Sequence, residues 1–233
     1  MQAEELRTAL DAMTDLSVAK YQNTVISDTH YPMLHIRTPE LRKLAKSAGK
    51  GDWKSLVSKG KYETFEEVLT IGLAVAYGKA PFEEKIPSLR LLLPRLDSWA
   101  MTDPIAATLK WRAEEEELAH AFARECLESP LEYTVRFGIL MLMYGFLTPQ
   151  AAPETVRLLC GVEDPRYYVQ MAVAWCFAEL GVREFPRVEE VLRTGTLPLF
   201  THNMTIRKLR ESCRISPEQK AAAARWKRKE ERT

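Results

Sequence analysis

Residues 131–146 read LEYTVRFGILMLMYGF, and residues 167–180 read YYVQMAVAWCFAEL. The first stretch is apolar almost without interruption, which predicts a helix that is mostly buried. The second carries an apolar stripe at helical spacing, formed by Val169, Val173, Phe177 and Leu180. No stretch shows the sustained alternation and β-branched enrichment that are typical of strands. The sequence therefore predicts an all-α fold.

The chain repeatedly places a capping residue before a proline, a pattern that predicts the start of a helix. Proline suits the first helical position because it lacks an N–H that would have no partner there. The predicted starts are Thr38-Pro39, Asp103-Pro104, Ser129-Pro130, Thr148-Pro149, Asp164-Pro165 and Ser216-Pro217. Thr64, with Glu67 three residues later, predicts a capping box at the start of a further helix.

Two of these starts, Ser129-Pro130 and Asp164-Pro165, lie 35 residues apart, and each is followed by a long and then a shorter helical segment. This period is close to the roughly 34–47 residues of helical-pair repeats. Such pairs stack into an alpha-alpha superhelix, a solenoid with one concave face. We expect one repeat domain over residues 1–215 and a basic C-terminal helix or tail over residues 216–233. A compact irregular bundle is the alternative.

Composition excludes several protein classes. The chain has 233 residues, of which 46% are apolar and 28% are charged, as in an ordinary soluble globular protein. Its longest apolar run, residues 137–147, is shorter than the roughly 20 residues of a membrane span. The four cysteines lie far apart and show no ligand spacing, so each is expected to be a small buried hydrophobe. We expect a cytoplasmic monomer with no metal, cofactor or membrane association.

The net charge of +1 hides two basic segments. Residues 36–61 contain eight basic and two acidic residues, and residues 201–233 contain ten basic and four acidic ones. The remainder of the chain is acidic. If the fold brings the two segments together, they could form a phosphate-binding face. On charge alone, two solvated helix faces are the more economical interpretation.

The residues that could carry chemistry are two tryptophans, one carboxylate and one arginine. Trp99 and Asp103 are four residues apart and therefore share a face if their segment is helical. Arg136 and Trp175 each lie in the middle of an apolar helix. Taken singly, each has a structural explanation: Asp103 as a helix cap, Arg136 as a partner of a carboxylate such as Glu132 or Asp103, and the tryptophans as core residues.

Taken in order, Trp99-x-x-x-Asp103, Arg136 and Trp175 resemble the DNA alkylation repair enzyme family, AlkD-like alkylpurine DNA glycosylases built of HEAT-like repeats. The flanking text is similar too. It includes YPMLHIRTPELRKLAK near the start, YYVQMAVAWCFAELG around Trp175, and LPLFTHNMTIRKLRESCRIS near the end. The resemblance covers roughly residues 15–215.

The resemblance implies a basic groove that holds duplex DNA, and excision of N3- or N7-alkylated purines without cofactor or metal. It implies catalytic roles for Asp103 and Trp99 and contacts to DNA by Trp175 and Arg136, with Arg136 holding a phosphate. Further expected DNA contacts are Arg37, Arg42, Lys43 and Arg207.

Four positions depart from the family pattern. Met171 replaces a common lysine, His202 and Asn203 stand where a basic pair is frequent, and His35 stands where glycine is usual. With the acidic body of the chain, these departures keep an alternative open: a non-catalytic HEAT-like member of the same family that binds DNA or protein.

Overall fold

The structure is a computed structural model that describes residues 1–229. Within that range every regular element is a helix and there is no strand. The prediction of an all-α fold is therefore confirmed. The α-helices of this range are α1 (Ala3–Ala12), α2 (Ala19–Val25), α3 (Thr38–Gly49), α4 (Trp53–Lys59), α5 (Phe65–Tyr77), α6 (Phe82–Leu92), α7 (Trp99–Thr108), α8 (Glu116–Leu127), α9 (Glu132–Gly145), α10 (Ala152–Cys160), α11 (Tyr167–Thr194), α12 (Leu199–Glu211) and α13 (Pro217–Ala224).

Five helices begin at nearly constant intervals along the chain. The starts of α5, α7, α9, α11 and α12 are separated by 34, 33, 35 and 32 residues in turn. Each of these helices packs against the next in the series. A second row forms where α6 packs against both α4 and α8. This stacking is the predicted helical-repeat solenoid rather than an irregular bundle.

The helix α11 is two helices joined at Glu184, whose φ of −138° and ψ of 62° are not helical. Pro186 follows two residues later and cannot donate to the preceding turn. The two halves of α11 therefore form a long and a shorter helix, as α9 and α10 do. The predicted 35-residue period is confirmed by the starts of α9 and α11.

The predicted helix start at Asp103-Pro104 is wrong. The helix α7 begins earlier, at Trp99, and Ser98 is its cap because the Ser98 hydroxyl accepts the amide of Ala100 at 3.1 Å. Pro104 lies inside this helix. Asp103 is consequently free of any capping role and lies one turn after Trp99.

The other predicted starts differ in accuracy. Thr64 and Ser216 cap α5 and α13, each by accepting an amide three residues later. The predicted capping box at Thr64 does not form, because the Glu67 carboxylate accepts the amides of Lys61 and Glu63 instead of that of Thr64. Thr38-Pro39 lies in the first turn of α3. The remaining three pairs precede their helices by a few residues, because the first residues of α9, α10 and α11 are Glu132, Ala152 and Tyr167.

The helix α9 is the buried centre of the fold, as its apolar sequence predicts. Residues 134–143 are all buried, including Arg136. Gly138 permits the close approach of α8, because a Cβ atom at this position would lie 2.7 Å from the carbonyl oxygen of Ala123. A larger residue at 138 would force α8 and α9 apart.

The four cysteines are free thiols. Cys126 and Cys176 are buried, and burial raises the pKa of both thiols. Cys160 is half-buried and Cys213 is exposed, so the prediction that every cysteine is buried holds only for Cys126 and Cys176. Among residues 1–229, no three His, Cys, Asp or Glu side chains converge as metal ligands would. None of the described helices has both the length and the apolar character that are needed to cross a bilayer.

Candidate functional site

A cavity of about 600 Å³ opens between the N-terminal segments and α7. Its lining includes Trp99 and Asp103 from α7, and Arg37 and Arg42 from the start of α3. Much of the remaining wall is apolar and comes from residues 18–26. Four of the eight predicted site residues therefore share one cavity.

Asp28 fixes the beginning of α7 and hence the position of Trp99. Its Oδ2 atom accepts the backbone amide of Trp99 at 3.0 Å, and its Oδ1 atom accepts the Ser98 hydroxyl at 2.8 Å. The phenol of Tyr133, in α9, also donates to Oδ2 at 2.7 Å. A carboxylate at this helix start is favourable because the exposed amides carry partial positive charge. Asp28 thus joins the N-terminal region, α7 and α9 at the cavity.

Arg136 fixes the carboxylate of Asp103 by hydrogen bonds to both of its oxygens. The Arg136 Nε and Nη2 atoms donate to the two carboxylate oxygens at 2.8 and 2.7 Å, and Nη1 donates to the carbonyl of Tyr168 at 2.7 Å. The Arg136 and Asp103 side chains are only 7% and 14% exposed. Burial raises the pKa of Asp103, the charge of Asp28 adds to that shift, and Arg136 opposes it. The result is a rigid, partly buried carboxylate at the cavity wall.

Trp175 is near the cavity but does not line it. Its indole meets the ring of Tyr144 edge to face, with 6.5 Å between ring centroids, and Tyr144 is part of the cavity lining. The Trp175 Nε1 atom donates to Glu179 at 3.3 Å. Tyr144 therefore stands between Trp175 and the site.

Arg42 is oriented by two neighbouring helices. Its Nη1 atom donates to the hydroxyl groups of Tyr77 and Thr108 at 3.1 and 2.9 Å. Arg37 is exposed and lies 3.5 Å from an oxygen of Asp15. The two arginines place positive charge beside Trp99 at the mouth of the cavity.

Comparison with protein families adds an independent finding to this geometry. The family model described as DNA alkylation repair enzyme matches residues 3–215. The chain belongs to this family. No curated protein and no solved structure gives a significant match to the chain. Membership shows a DNA repair enzyme family, to which the resemblance of the Trp99, Asp103, Arg136 and Trp175 pattern also pointed.

In this DNA alkylation repair family member, Arg136 pairs with Asp103, whereas the resemblance implies that it contacts a DNA phosphate. All three of its donating nitrogens are engaged by Asp103 and Tyr168. Its side chain is buried, which restricts the access of a phosphate to the guanidinium. The structure shows Arg136 as a partner of Asp103, which is one of the explanations that the sequence had left open. Its contact with a DNA phosphate stays a prediction.

Two predicted contacts lie away from the cavity lining. Lys43 is exposed and pairs with Glu40 at 3.1 Å on the surface of α3. Arg207 is on α12 and borders a second cavity at the C-terminal end of the chain. The expected basic contacts therefore fall into two groups, one at α3 with Arg37, Arg42 and Lys43, and one at α12 with Arg207.

Sequence reasoning missed two residues of the site, Asp28 and Tyr144. Asp28 lies 70 residues before Ser98, and no local pattern connects them. Tyr144 lies in the last turn of α9 and is 41% exposed, so a large aromatic residue near the end of this helix was the available signal. His35 has a φ of 62°, a left-handed conformation that agrees with the glycine usual there in the family.

Proposed function

We propose that the protein is a DNA glycosylase that hydrolyses the N-glycosidic bond of N3- or N7-alkylated purines in duplex DNA. The observation that carries this proposal is the shared cavity, in which a fixed carboxylate, Asp103, faces the same space as Trp99 and two arginines. The family membership supports DNA repair as the context.

The substrate itself makes the reaction feasible with few protein groups. Alkylation at N3 or N7 gives the purine a positive charge. When the bond between C1′ and the base breaks, its electron pair goes to the purine, which leaves as a neutral molecule. The sugar becomes a cation, water bonds to C1′ and loses a proton, and an abasic site remains. No acid is needed to protonate the leaving base.

The role of Asp103 is to stabilise the sugar cation and to orient the attacking water, as carboxylates do in glycoside hydrolysis. Arg136 is a positioning residue in this scheme, because it donates to both carboxylate oxygens of Asp103. A preformed carboxylate does not have to reorganise during the reaction, which is the condition for strong electrostatic stabilisation.

The aromatic residues provide selectivity for the charged base. Trp99 and Tyr144 line the cavity, and Trp175 lies behind Tyr144. Electron-rich ring faces attract cations, by about 0.5–2 kcal/mol depending on solvent exposure. A neutral purine gains nothing from this term. Arg37 and Arg42 neutralise backbone phosphates near the lesion.

The test is release of free base from alkylated duplex DNA. We expect the wild type to release 7-methylguanine or 3-methyladenine, and Asp103→Asn to release it about 10²–10³-fold more slowly, since one charge-stabilising group is lost. No release by wild type at micromolar enzyme would overturn the proposal.

A second candidate is a non-catalytic member of the family that binds DNA. Both oxygens of Asp103 already accept hydrogen bonds from Arg136, which favours a purely structural carboxylate. This candidate predicts equal affinity for alkylated and unmodified duplexes and no base release. Binding measurements on the two duplexes, made beside the excision assay, separate the candidates.

A further inference from the structure

The last described residues, 225–229, return to α12 and are held there by hydrogen bonds. The Nε2 atom of His202 lies 2.7 Å from the carbonyl oxygen of Trp226. The Asn203 side chain accepts the amide of Arg228 at 3.0 Å and donates to its carbonyl at 2.9 Å. The tail is therefore fixed largely through its backbone, and the side chains of Lys227 and Lys229 are exposed.

Arg228 is a further anchor of the tail. Its Nη1 atom donates to the carbonyls of Leu197 and Gly195 at 2.9 and 3.3 Å, in the loop before α12. The indole of Trp226 also points toward Glu189, with 3.4 Å between Nε1 and the carboxylate. These contacts place residues 227–229 against one face of α12.

The docked tail and α12 enclose a basic cavity of about 1210 Å³. Its cationic lining consists of Arg207, Arg210, Lys227, Arg228 and Lys229. None of the ion pairs within residues 1–229 involves Arg210, Lys227 or Lys229. Arg207 pairs with Glu211, but the other four cations have no carboxylate partner among residues 1–229. They repel each other, and an anionic ligand would relieve that repulsion.

We propose that the docked tail and α12 form a second surface that binds the phosphate backbone of DNA, away from the catalytic cavity. The proposal rests on the proposed function for its ligand, and Arg207 is already an expected DNA contact, but the tail residues are new: the family match ends at residue 215, before the tail. His202 and Asn203, which stand where the family often has a basic pair, here hold a segment that brings three cations to the same helix.

The first test is the salt dependence of binding to an undamaged duplex, measured by fluorescence anisotropy. Each phosphate contact contributes about 0.9 to the slope of log affinity against log salt concentration. The double variant Lys227→Ala/Lys229→Ala should therefore lower the slope by about 2. The matched control is Arg157→Ala/Arg193→Ala, which removes two cations from α10 and the second half of α11 and should leave the slope unchanged.

The second test asks whether DNA binding requires the tail to be docked on α12, or only its positive charge. Asn203→Ala keeps every cation but removes both hydrogen bonds to Arg228. We expect it to lower the slope in the same direction as the lysine variant. A slope equal to that of wild type would show that a loose basic tail is sufficient and would overturn the docked surface.

The remaining outcomes separate the two proposals. If wild type binds duplex DNA but the lysine variant keeps the full slope, the tail surface is overturned while the proposed function stands. If wild type binds no duplex at all, both are overturned. A third outcome has two parts: millimolar inorganic phosphate raises the melting temperature of wild type but not of the lysine variant, and both proteins bind the duplex with the same affinity. In that case the site binds small anions, and the proposed DNA surface is overturned.

Discussion

The two basic regions of the molecule differ in what surrounds their charges. At the first cavity, Arg37 and Arg42 stand beside an apolar wall, an indole and the fixed carboxylate of Asp103. At the C-terminal cavity, the charged lining consists of cations only. A carboxylate weakens phosphate binding but stabilises a cation that develops during a reaction. The difference indicates that the first cavity is suited to a chemical step and the C-terminal cavity to binding the DNA backbone.

Removal of Arg136 should have the largest effect. Arg136→Met leaves Asp103 buried without its partner, which we expect to lower the free energy of unfolding by about 3–5 kcal/mol. Urea denaturation of the purified variant measures this loss. The double variant Arg136→Met/Asp103→Leu removes both charges and should recover much of the stability. A single variant as stable as wild type would mean that the pair is not formed.

Loss of Asp28 should have an intermediate effect. Asp28→Ala leaves the Trp99 amide, the Ser98 hydroxyl and the Tyr133 phenol without their acceptor, which should cost about 1–3 kcal/mol in stability. The displaced start of α7 should also slow base excision. The matched control is Asp97→Ala, a loop carboxylate that accepts hydrogen bonds from Thr29 and His30 but none from the start of α7. Equal excision rates for Asp28→Ala and wild type would contradict the anchoring role.

The pH dependence of excision should reflect the environment of Asp103. The carboxylate is the active form, and burial raises its pKa. The excision rate should therefore fall as the pH drops through a value above the roughly 3.9 of an ordinary aspartate. Asp28→Asn removes a charge that contributes to the shift, so it should move this fall to lower pH. A single-turnover pH profile measures both, and a fall at or below the ordinary aspartate value would contradict the scheme.

The smallest effect is expected at Lys43. Its ion pair with Glu40 is exposed, and such pairs contribute little, so Lys43→Ala should change stability by less than about 0.5 kcal/mol. If Lys43 contacts a phosphate, the salt slope of DNA binding should fall by about 1. An unchanged slope would remove Lys43 from the expected DNA contacts.

The sequence predicted those features that depend on local spacing. The helical period placed Trp99 and Asp103 on one face, and the 35-residue interval predicted the helix pairs. The cap at Asp103 was wrong because Ser98 caps the helix five residues earlier. Local spacing could not decide between the two competing starts.

The features that depend on distant contacts could not be predicted. Asp28 reaches Tyr133 across 105 residues, and Asn203 reaches Arg228 across 25, with no repeating pattern to mark either contact. For Arg136 the sequence offered Glu132 and Asp103 as candidate partners, and the packing of α9 against α7 selects Asp103. Tertiary packing, which sequence spacing does not encode, decides these roles.

The central claim is that the Asp103 cavity performs the chemical step and the C-terminal surface binds the DNA backbone. Single-turnover excision at increasing enzyme concentration tests it most directly, with Asp103→Asn and Lys227→Ala/Lys229→Ala measured side by side. The account predicts that the aspartate variant loses about 10²–10³-fold in the rate at saturation and keeps its affinity for DNA. The lysine variant should keep that rate and need more enzyme to reach it. Loss of affinity in the aspartate variant with an unchanged saturating rate would contradict the assignment of Asp103 to the chemical step.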